Sequence, residues 1–440
     1  MQQELNEKQV LDYILKYFEL LDKNFDSKNK KKLPFQDLKN IMDDMNVLFN
    51  KFYDLNPEKC SKLSTMRYIP LLNLVVKLDK DGTRALGYMK YLKNAYRMSA
   101  RTSLENYFIY REWEDTPSER FFAPRYEIMK GYIHYLEEVV INPNVHLVIA
   151  NMPSGYGKTF PEKISEAWSF GRDPSGTVLS LCSNEDVVKG GSRVVIDEMK
   201  SEWFGEVFPE MAWSEDKKNY FLKETESNWK LKQCKLVSSY YAKTVQSNVV
   251  GVRASQRIHI DDLYADYKEA MSQTLNEYYL NKHLTVWSKR FVQNMIPKVV
   301  VTGTLWASGD FIALLIKLQK KRHKFTKHPK YKYTWVSEDG SVVIIQVPAL
   351  DYETGLSTCP ELKTTKELLI EKSNMEEYLW ETNFQQRPTD PDALFFSYSK
   401  LRTYETIPKT DFTGGYAVID ATRKSGKDFF AMPIFTKVPN

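Results

Sequence analysis

The sequence predicts an α/β protein built on a parallel central sheet, on three observations. Val145, Leu147, Val148, Ile149 and Ala150 form a short apolar run that leads directly into a small-residue loop carrying Gly155, Gly157, Lys158 and Thr159. A mostly apolar strand within 252–263 ends in the adjacent carboxylates Asp261 and Asp262, and 261 − 158 puts them 103 residues after Lys158. Further apolar runs at 176–183, 297–303 and 341–347 supply the other buried strands.

Length and composition bound what such a sheet can belong to. With 440 residues, 42% of them hydrophobic, the chain can hold two or three domains and a sizeable core. No apolar run approaches the roughly 18 residues of a membrane-spanning helix, and MQQELNEKQV has neither the basic start nor the apolar middle of a signal peptide. A soluble intracellular protein with no membrane partner is expected. Cys60, Cys182, Cys234 and Cys359 are widely scattered, which suits reduced packing thiols rather than a disulfide framework or a zinc site. The net charge of +5 is mild, so any nucleic-acid contact has to come from local patches.

From the amino end, Leu5, Val10, Leu11, Ile14, Phe18 and Leu21 recur at helical spacing, as do Phe35, Leu38, Ile41, Met42, Met45, Phe49 and Phe52. The basic run Lys28, Lys30, Lys31, Lys32 between them reads as a solvated loop. Residues 84–113 read as a further helical region, rich in Tyr and Arg. Composition shifts after Glu114-Asp115-Thr116-Pro117, which sets an amino-terminal helical region of 1–116. A helix is predicted over 121–140, just upstream of the small-residue loop. In many phosphate-loop motors residues at such a position touch the adenine, which makes Arg125 and Tyr126 candidates for base contacts; Tyr126 fits a core position equally.

The loop itself carries the chemistry. Backbone amides of Ser154, Gly155, Tyr156 and Gly157, with the start of the next helix, make an anion cradle in which Lys158 reaches the outer phosphates of ATP and Thr159 ligates Mg²⁺. The full pattern GxxxxGK[ST] wants glycine where this chain has Met152. Helices follow to Phe170 and over 190–199, the second containing Arg193, and 221–250 alternates polar and apolar residues as hairpins do. Taken singly, an Ile-Asp-Asp triplet is usually a helix cap. Combined with the loop, Asp261 reads as the carboxylate that holds Mg²⁺ through water and Asp262 as the one that polarises the attacking water. The strand at 297–303 runs into Thr304 to Asp310, a polar loop at the carboxyl edge of the sheet, positioned to sense the γ-phosphate.

In this order the signatures resemble the large subunit of tailed-bacteriophage terminases, the motors that package DNA into capsids. Met152 to Thr159 is similar to the family's Pro-Pro-Arg-His-Gly-Lys-Ser loop, and Val178 to Pro209 to its strand, SRVV helix and FP ending. GVRASQRIHIDDLYADYKEAMS (251–272), TGTLWASGDF (302–311) and NFQQRPTDPDALFF (383–396) resemble its twin-acid, coupling and linker segments. Coverage runs from about Phe121 to Phe430. The resemblance implies a RecA-like (ASCE-type) P-loop ATPase domain over 117–395. In it Lys158 and Thr159 bind phosphate and Mg²⁺, Asp261 anchors the metal, Asp262 orients water, and Thr304 and Asp310 couple hydrolysis to movement. Where the family often has an arginine in the loop, this chain has Ser154 and Gly155, so a transition-state cation worth about 10³-fold must come from elsewhere. Arg193 and Arg253 are the candidates, in cis or across a ring of subunits. Leu305 and Ala307 likewise replace the family's arginine and histidine.

At the carboxyl end, 413–420 reads as a strand ending in Asp420, followed by a turn at 424–427 and a strand over 428–435. This resembles the opening hairpin of the family's ribonuclease-H-like nuclease, with 396–440 as linker and start and Asp420 as the first ligand for Mg²⁺ or Mn²⁺; Asp428 reads as a turn residue. Two-metal cleavage needs several convergent carboxylates and roughly another hundred residues, so nuclease activity is expected only where that remainder is supplied. The implied job is ATP-driven translocation of double-stranded DNA into a procapsid, in the host cytoplasm. The implied partners are a portal protein ring, a small terminase subunit and further copies in a homo-oligomeric ring. DNA would be held through its phosphates. A helicase-type translocase and a nucleotide-dependent, non-catalytic assembly protein stay open as alternatives.

Overall fold

Helices make up the amino-terminal region in a computed structural model of the chain, which describes residues 5–25, 35–78, 85–213, 221–225, 227–388, 415–417 and 434–436. They are α1 (Glu7–Phe25), α2 (Phe35–Leu55), α3 (Pro57–Leu63), α4 (Ile69–Leu78), α5 (Ala85–Ser99) and α6 (Leu104–Arg111). The predicted stripes of α1 and α2 meet in one apolar core, Val10, Ile14, Phe18 and Leu21 against Met42, Met45, Phe49 and Phe52. The helix expected over 84–113 is two helices, because Ser103 leaves helical geometry and accepts the Asn106 amide as the cap of α6. Backbone carbonyls fasten this layer to later parts of the chain: the Tyr53 hydroxyl donates to Val207 at 2.9 Å and the Trp168 indole to Ala100 at 2.8 Å.

The sheet has ten strands: β1 (Leu147–Asn151), β2 (Val178–Cys182), β3 (Phe221–Glu224), β4 (Asn228–Leu231), β5 (Tyr240–Thr244), β6 (Arg257–Asp261), β7 (Val299–Gly303), β8 (Phe325–Lys327), β9 (Thr334–Ser337) and β10 (Val342–Gln346). Their order is β3-β4-β5-β2-β6-β7-β1-β10-β9-β8. The stretch from β5 to β10 is parallel throughout, and antiparallel strands extend it at both ends. Period-two alternation sends Val148 and Ala150 to one face and Leu147 and Ile149 to the other. The first face packs under α7 (Tyr126–Ile141), α8 (Thr159–Arg172) and α9 (Glu185–Lys200). The second packs under α11 (Tyr267–Met271), α12 (Gln273–Thr285) and α13 (Phe311–Arg322), with the short α10 (Glu202–Val207) following α9.

Two expected helix starts move. Pro124 confines Ala123–Arg125 to a single 3₁₀ turn, so α7 begins at Tyr126 rather than at 121. The helix expected from Gly190 begins at Glu185, where Asn184 accepts the Asp186 and Val187 amides. A Cβ on Gly191 would come within 2.9 Å of the Lys163 side chain, so glycine lets α9 approach α8 at that point.

Residues 1–390 form one compact unit and 391–440 a second. In the second, Gly415–Ala417 pairs antiparallel with Ile434–Thr436. Asp420, the turn at 424–427 and Asp428 lie outside the described residues. The four cysteines are buried and free, and among the described residues no helix is long and apolar enough to cross a membrane.

Candidate functional site

Strand β1 ends in the loop 152–158. Met152, standing where the full motif has glycine, buries its side chain in the core beneath the sheet, and Tyr156 is likewise buried, so both contribute only backbone to the loop. Ser154 and Gly155 are exposed. Gly155 and Gly157 have φ of +80° and +87°, the left-handed region where a side chain is strained. At Gly157 an added Cβ would also lie 2.5 Å from the Phe121 ring. Helix α8 then starts with Lys158 at its cap position and no side chain accepting its first amides. Uncapped amides beside two left-handed glycines are the makings of an anion cradle.

Because β7 alone separates β1 from β6, the carboxyl ends of all three strands converge on this loop. The Thr159 hydroxyl donates to Asp261 Oδ2 at 2.8 Å. Lys158 Nζ lies 3.2 Å from Thr304 Oγ1 and 3.4 Å from Asp262 Oδ1. The other oxygen of Asp261 accepts the Thr302 hydroxyl at 2.8 Å. Asp262 is just past the strand with φ +36°, a rare conformation for a residue with a side chain. Burial, and then the neighbouring Asp261, push its carboxyl above the usual range, against the pull of Lys158 and the Thr304 amide. Lys158, Thr159, Asp261, Asp262 and Thr304 are therefore brought together.

Beneath Asp261 lies a network that sequence reasoning missed. Glu162 and Glu166 of α8 flank His259 of β6: Glu162 meets Nε2, and Glu166 lies 3.1 Å from Nδ1. Lys163 Nζ reaches Glu166 at 3.3 Å and the Ser180 hydroxyl at 3.0 Å, and Tyr240 donates to Glu166 at 2.9 Å. His259 Nε2 is also 3.3 Å from Thr302 Oγ1, which links the network to Asp261. All these charged groups are buried. Burial alone would lower the imidazole pKa, but the two glutamates outweigh it and hold His259 at about 9. Burial would raise Glu166, yet Lys163 and His259 pull it down to about 2. Glu162, His259 and Asp261 each offer a ligand atom within 4.8 Å of the others, though Lys163, His259 and the buried Arg257 already offset the carboxylates Glu162, Glu166 and Asp261. The signal was present: in Arg257-Ile258-His259-Ile260-Asp261 the ionisable residues alternate, so β6 is not mostly apolar but carries three of them on one face.

Other expected residues stand apart. Arg253 precedes β6 at the amino edge, where the neighbouring Ser255 amide meets Thr177 O at 3.0 Å; β6 alone, about 13 Å long at about 3.3 Å per residue, separates that edge from Asp261. It cannot serve this site within one chain, because residues before and after a parallel strand lie on opposite edges. Arg193 is exposed on α9, two turns beyond the helix start. Asp310 does not face the loop: it is wholly buried, accepting Ala313 N at 2.8 Å as the cap of α13 and Trp306 N at 2.7 Å. Its role is to brace the turn after Thr304. Arg125 does reach the site, with Nε 3.8 Å from an added Cβ on Gly157 and the guanidinium 4.6 Å from the Phe121 ring centroid. Tyr126 turns the other way, donating to Glu105 at 3.1 Å and lining a cavity of about 510 Å³ with Met89, Ile109 and Trp113.

The donor set fits Mg²⁺ with a polyphosphate: hydroxyl and carboxylate oxygens are hard ligands, and the cradle and Lys158 suit the anion. No protein-family model matches this chain, and no curated protein matches it.

Proposed function

We propose that this chain is an ATP-hydrolysing motor acting on double-stranded DNA, with a RecA-like ATPase fold, as its resemblance to phage terminase large subunits implies. The observation that carries the reading is one constellation: Thr159 on Asp261 at 2.8 Å and Lys158 beside Asp262 at 3.4 Å, around one loop with two left-handed glycines. Lys158, the loop amides and Arg125 would hold the triphosphate, and Thr159 with Asp261 would hold Mg²⁺. Bound there, the ion would supply neutralisation of phosphate charge. Asp262, unpaired from Lys158 once phosphate takes the ammonium, is left to accept a hydrogen bond from the attacking water. Thr304, in contact with Lys158, would register that exchange. Packaging into a procapsid, with the portal and small-subunit partners and an arginine donated by a neighbouring subunit, rests on the resemblance. So does assignment of the pair Gly415–Ala417 and Ile434–Thr436 to the opening of a nuclease.

The test is steady-state ATP hydrolysis by the chain, by Lys158→Ala and by Asp262→Ala, with and without duplex DNA. Turnover that needs Mg²⁺ and falls about a hundredfold or more in both variants is expected. Stimulation by single strands with unwinding would move the reading to a helicase. Nucleotide binding without turnover, even at concentrations that assemble a ring, would move it to an assembly protein.

A further inference from the structure

One stretch carries more net positive charge than the whole chain. Residues 317–332 carry seven lysines and one arginine and no aspartate or glutamate. Taking those eight charges from the net +5 leaves −3 for everything else. The stretch covers the last turns of α13, the edge strand β8 and the turn into β9. It starts at the amino edge of the sheet, where Gln319 and His323 line a cavity with Leu147 and Val299, and runs along the outermost strand. Lys317, Lys320, Lys321, Arg322, Lys324, Lys327 and Lys330 are exposed. Lys332 is neutralised by Asp351 at 2.7 Å and Glu353 at 3.0 Å, and His323 lies 3.5 Å from Asp339. Among the described residues no other cation of the stretch is ion-paired.

Two structural uses account for part of this. Cations in the last turn of a helix complement its dipole, and a lysine on an edge strand discourages sheet-to-sheet pairing. They explain Lys320, Lys321, Arg322 and Lys327, but not the cations on either side; the acids nearest the edge, Asp339, Asp351 and Glu353, pair with His323 and Lys332. At about 1.5 Å per helical residue and about 3.3 Å per strand residue the stripe is on the order of 20 Å long. A DNA duplex presents one phosphate charge per about 1.7 Å of axis, roughly a dozen over that length. The aromatics of the stretch are not free to stack on bases: Tyr331 is buried against α7 and Phe325 is half-buried in the sheet edge. Single-strand binders use exposed aromatic platforms, whereas phosphate contacts need only cations.

We propose that the α13–β8 edge is a contact surface for the phosphate backbone of duplex nucleic acid. This supplies the track-holding face that the proposed motor needs; it rests on that reading for its purpose and on charge and exposure for its chemistry. The test is fluorescence anisotropy of the full chain with a duplex of about 30 base pairs, titrated at salt concentrations from about 50 to about 200 mM. The edge variant is Lys320→Gln/Lys321→Gln/Arg322→Gln/Lys324→Gln, and the charge-matched control is Lys8→Gln/Lys39→Gln/Lys62→Gln/Lys77→Gln. The edge variant is expected to weaken duplex binding at least about tenfold, and to flatten the slope of log K against log salt by up to about 3.6, since each of the four phosphate contacts removed contributes about 0.9. The control should do neither, and both should keep basal ATP hydrolysis. Equal weakening by edge and control, or no weakening by the edge, overturns the proposal. So does an edge effect confined to single strands or to phosphatidylserine vesicles. Lys158→Ala separates the two readings: it should lose hydrolysis and keep duplex binding, so a chain without ATPase activity can still pass this test, and an active one can still fail it.

Discussion

Replacing Thr302 by valine exchanges one hydroxyl for a methyl in a wholly buried position, and it acts on the site only through Asp261. Thr302 Oγ1 donates to Asp261 Oδ1 at 2.8 Å and lies 3.3 Å from His259 Nε2, so the substitution frees one oxygen of the carboxylate and cuts its link to the buried network. Asp261 keeps the Thr159 hydroxyl on its other oxygen. A hydrogen bond to a charged group is worth about 1.5–3 kcal/mol. If that loss falls on the metal-dependent step, about 1.4 kcal/mol per decade converts it to a ten- to hundredfold fall in kcat/KM. The assay is ATP hydrolysis as a function of Mg²⁺, run beside urea denaturation. The Mg²⁺ requirement should rise together with the loss of rate, and Thr302→Ser should recover most of both. A valine variant that unfolds earlier but keeps the Mg²⁺ dependence and turnover of the parent would refute the view that Thr302 positions Asp261.

The two loop glycines should respond differently to alanine. At Gly155 (φ +80°) the space is open, so the cost is the left-handed conformation alone, about 1 kcal/mol. At Gly157 (φ +87°) the added Cβ also meets Phe121 at 2.5 Å, so nucleotide binding, measured by calorimetry, should fall much further. Asp310→Ala strips acceptors from the Ala313, Trp306 and Ala307 amides; a drop of about 2 kcal/mol or more in unfolding free energy is expected, with weaker hydrolysis as the turn after Thr304 loosens. Since His259 is held at about 9 against an ordinary 6.5, the folded chain keeps a proton that the unfolded chain gives up between those values. Its contribution is whole below about 6.5 and is lost as pH rises through about 9. Urea midpoints should therefore decline across that window, and His259→Asn should flatten the decline.

Much of this arrangement is legible in the chain. The apolar runs at 145–150, 176–183, 297–303 and 341–347 each form a strand, because buried parallel strands need continuous apolar sequence. The pairing of Thr159 with Asp261 depends on strand order, which periodicity does not state; it comes from β7 entering between β1 and β6. That Arg253 stands away from Asp261 within one chain follows from strand direction alone, since a residue before a parallel strand sits at the edge opposite one after it. The buried ions escape notice because charged residues in a strand ordinarily mark its ends. Their partners, Glu162, Lys163 and Glu166, come from a helix that only folding brings alongside. Gly190 and Gly191 read as a helix boundary because glycine is a poor helix former, and here close packing on Lys163 overrides that preference.

Helix α13 has 12 residues, about 18 Å of rigid rod. Its first turn is clamped by Asp310 to the amides of Trp306 and Ala307, a few residues beyond the hydroxyl that touches Lys158. Its last turn carries Lys320, Lys321 and Arg322 at the other rim of the sheet. The ammonium at one end and the cationic cluster at the other are thus joined by a single strut with no hinge along it. One helix thus ties the turn beside Lys158 to the amino rim of the sheet, where Gln319 and His323 stand with Leu147 and Val299.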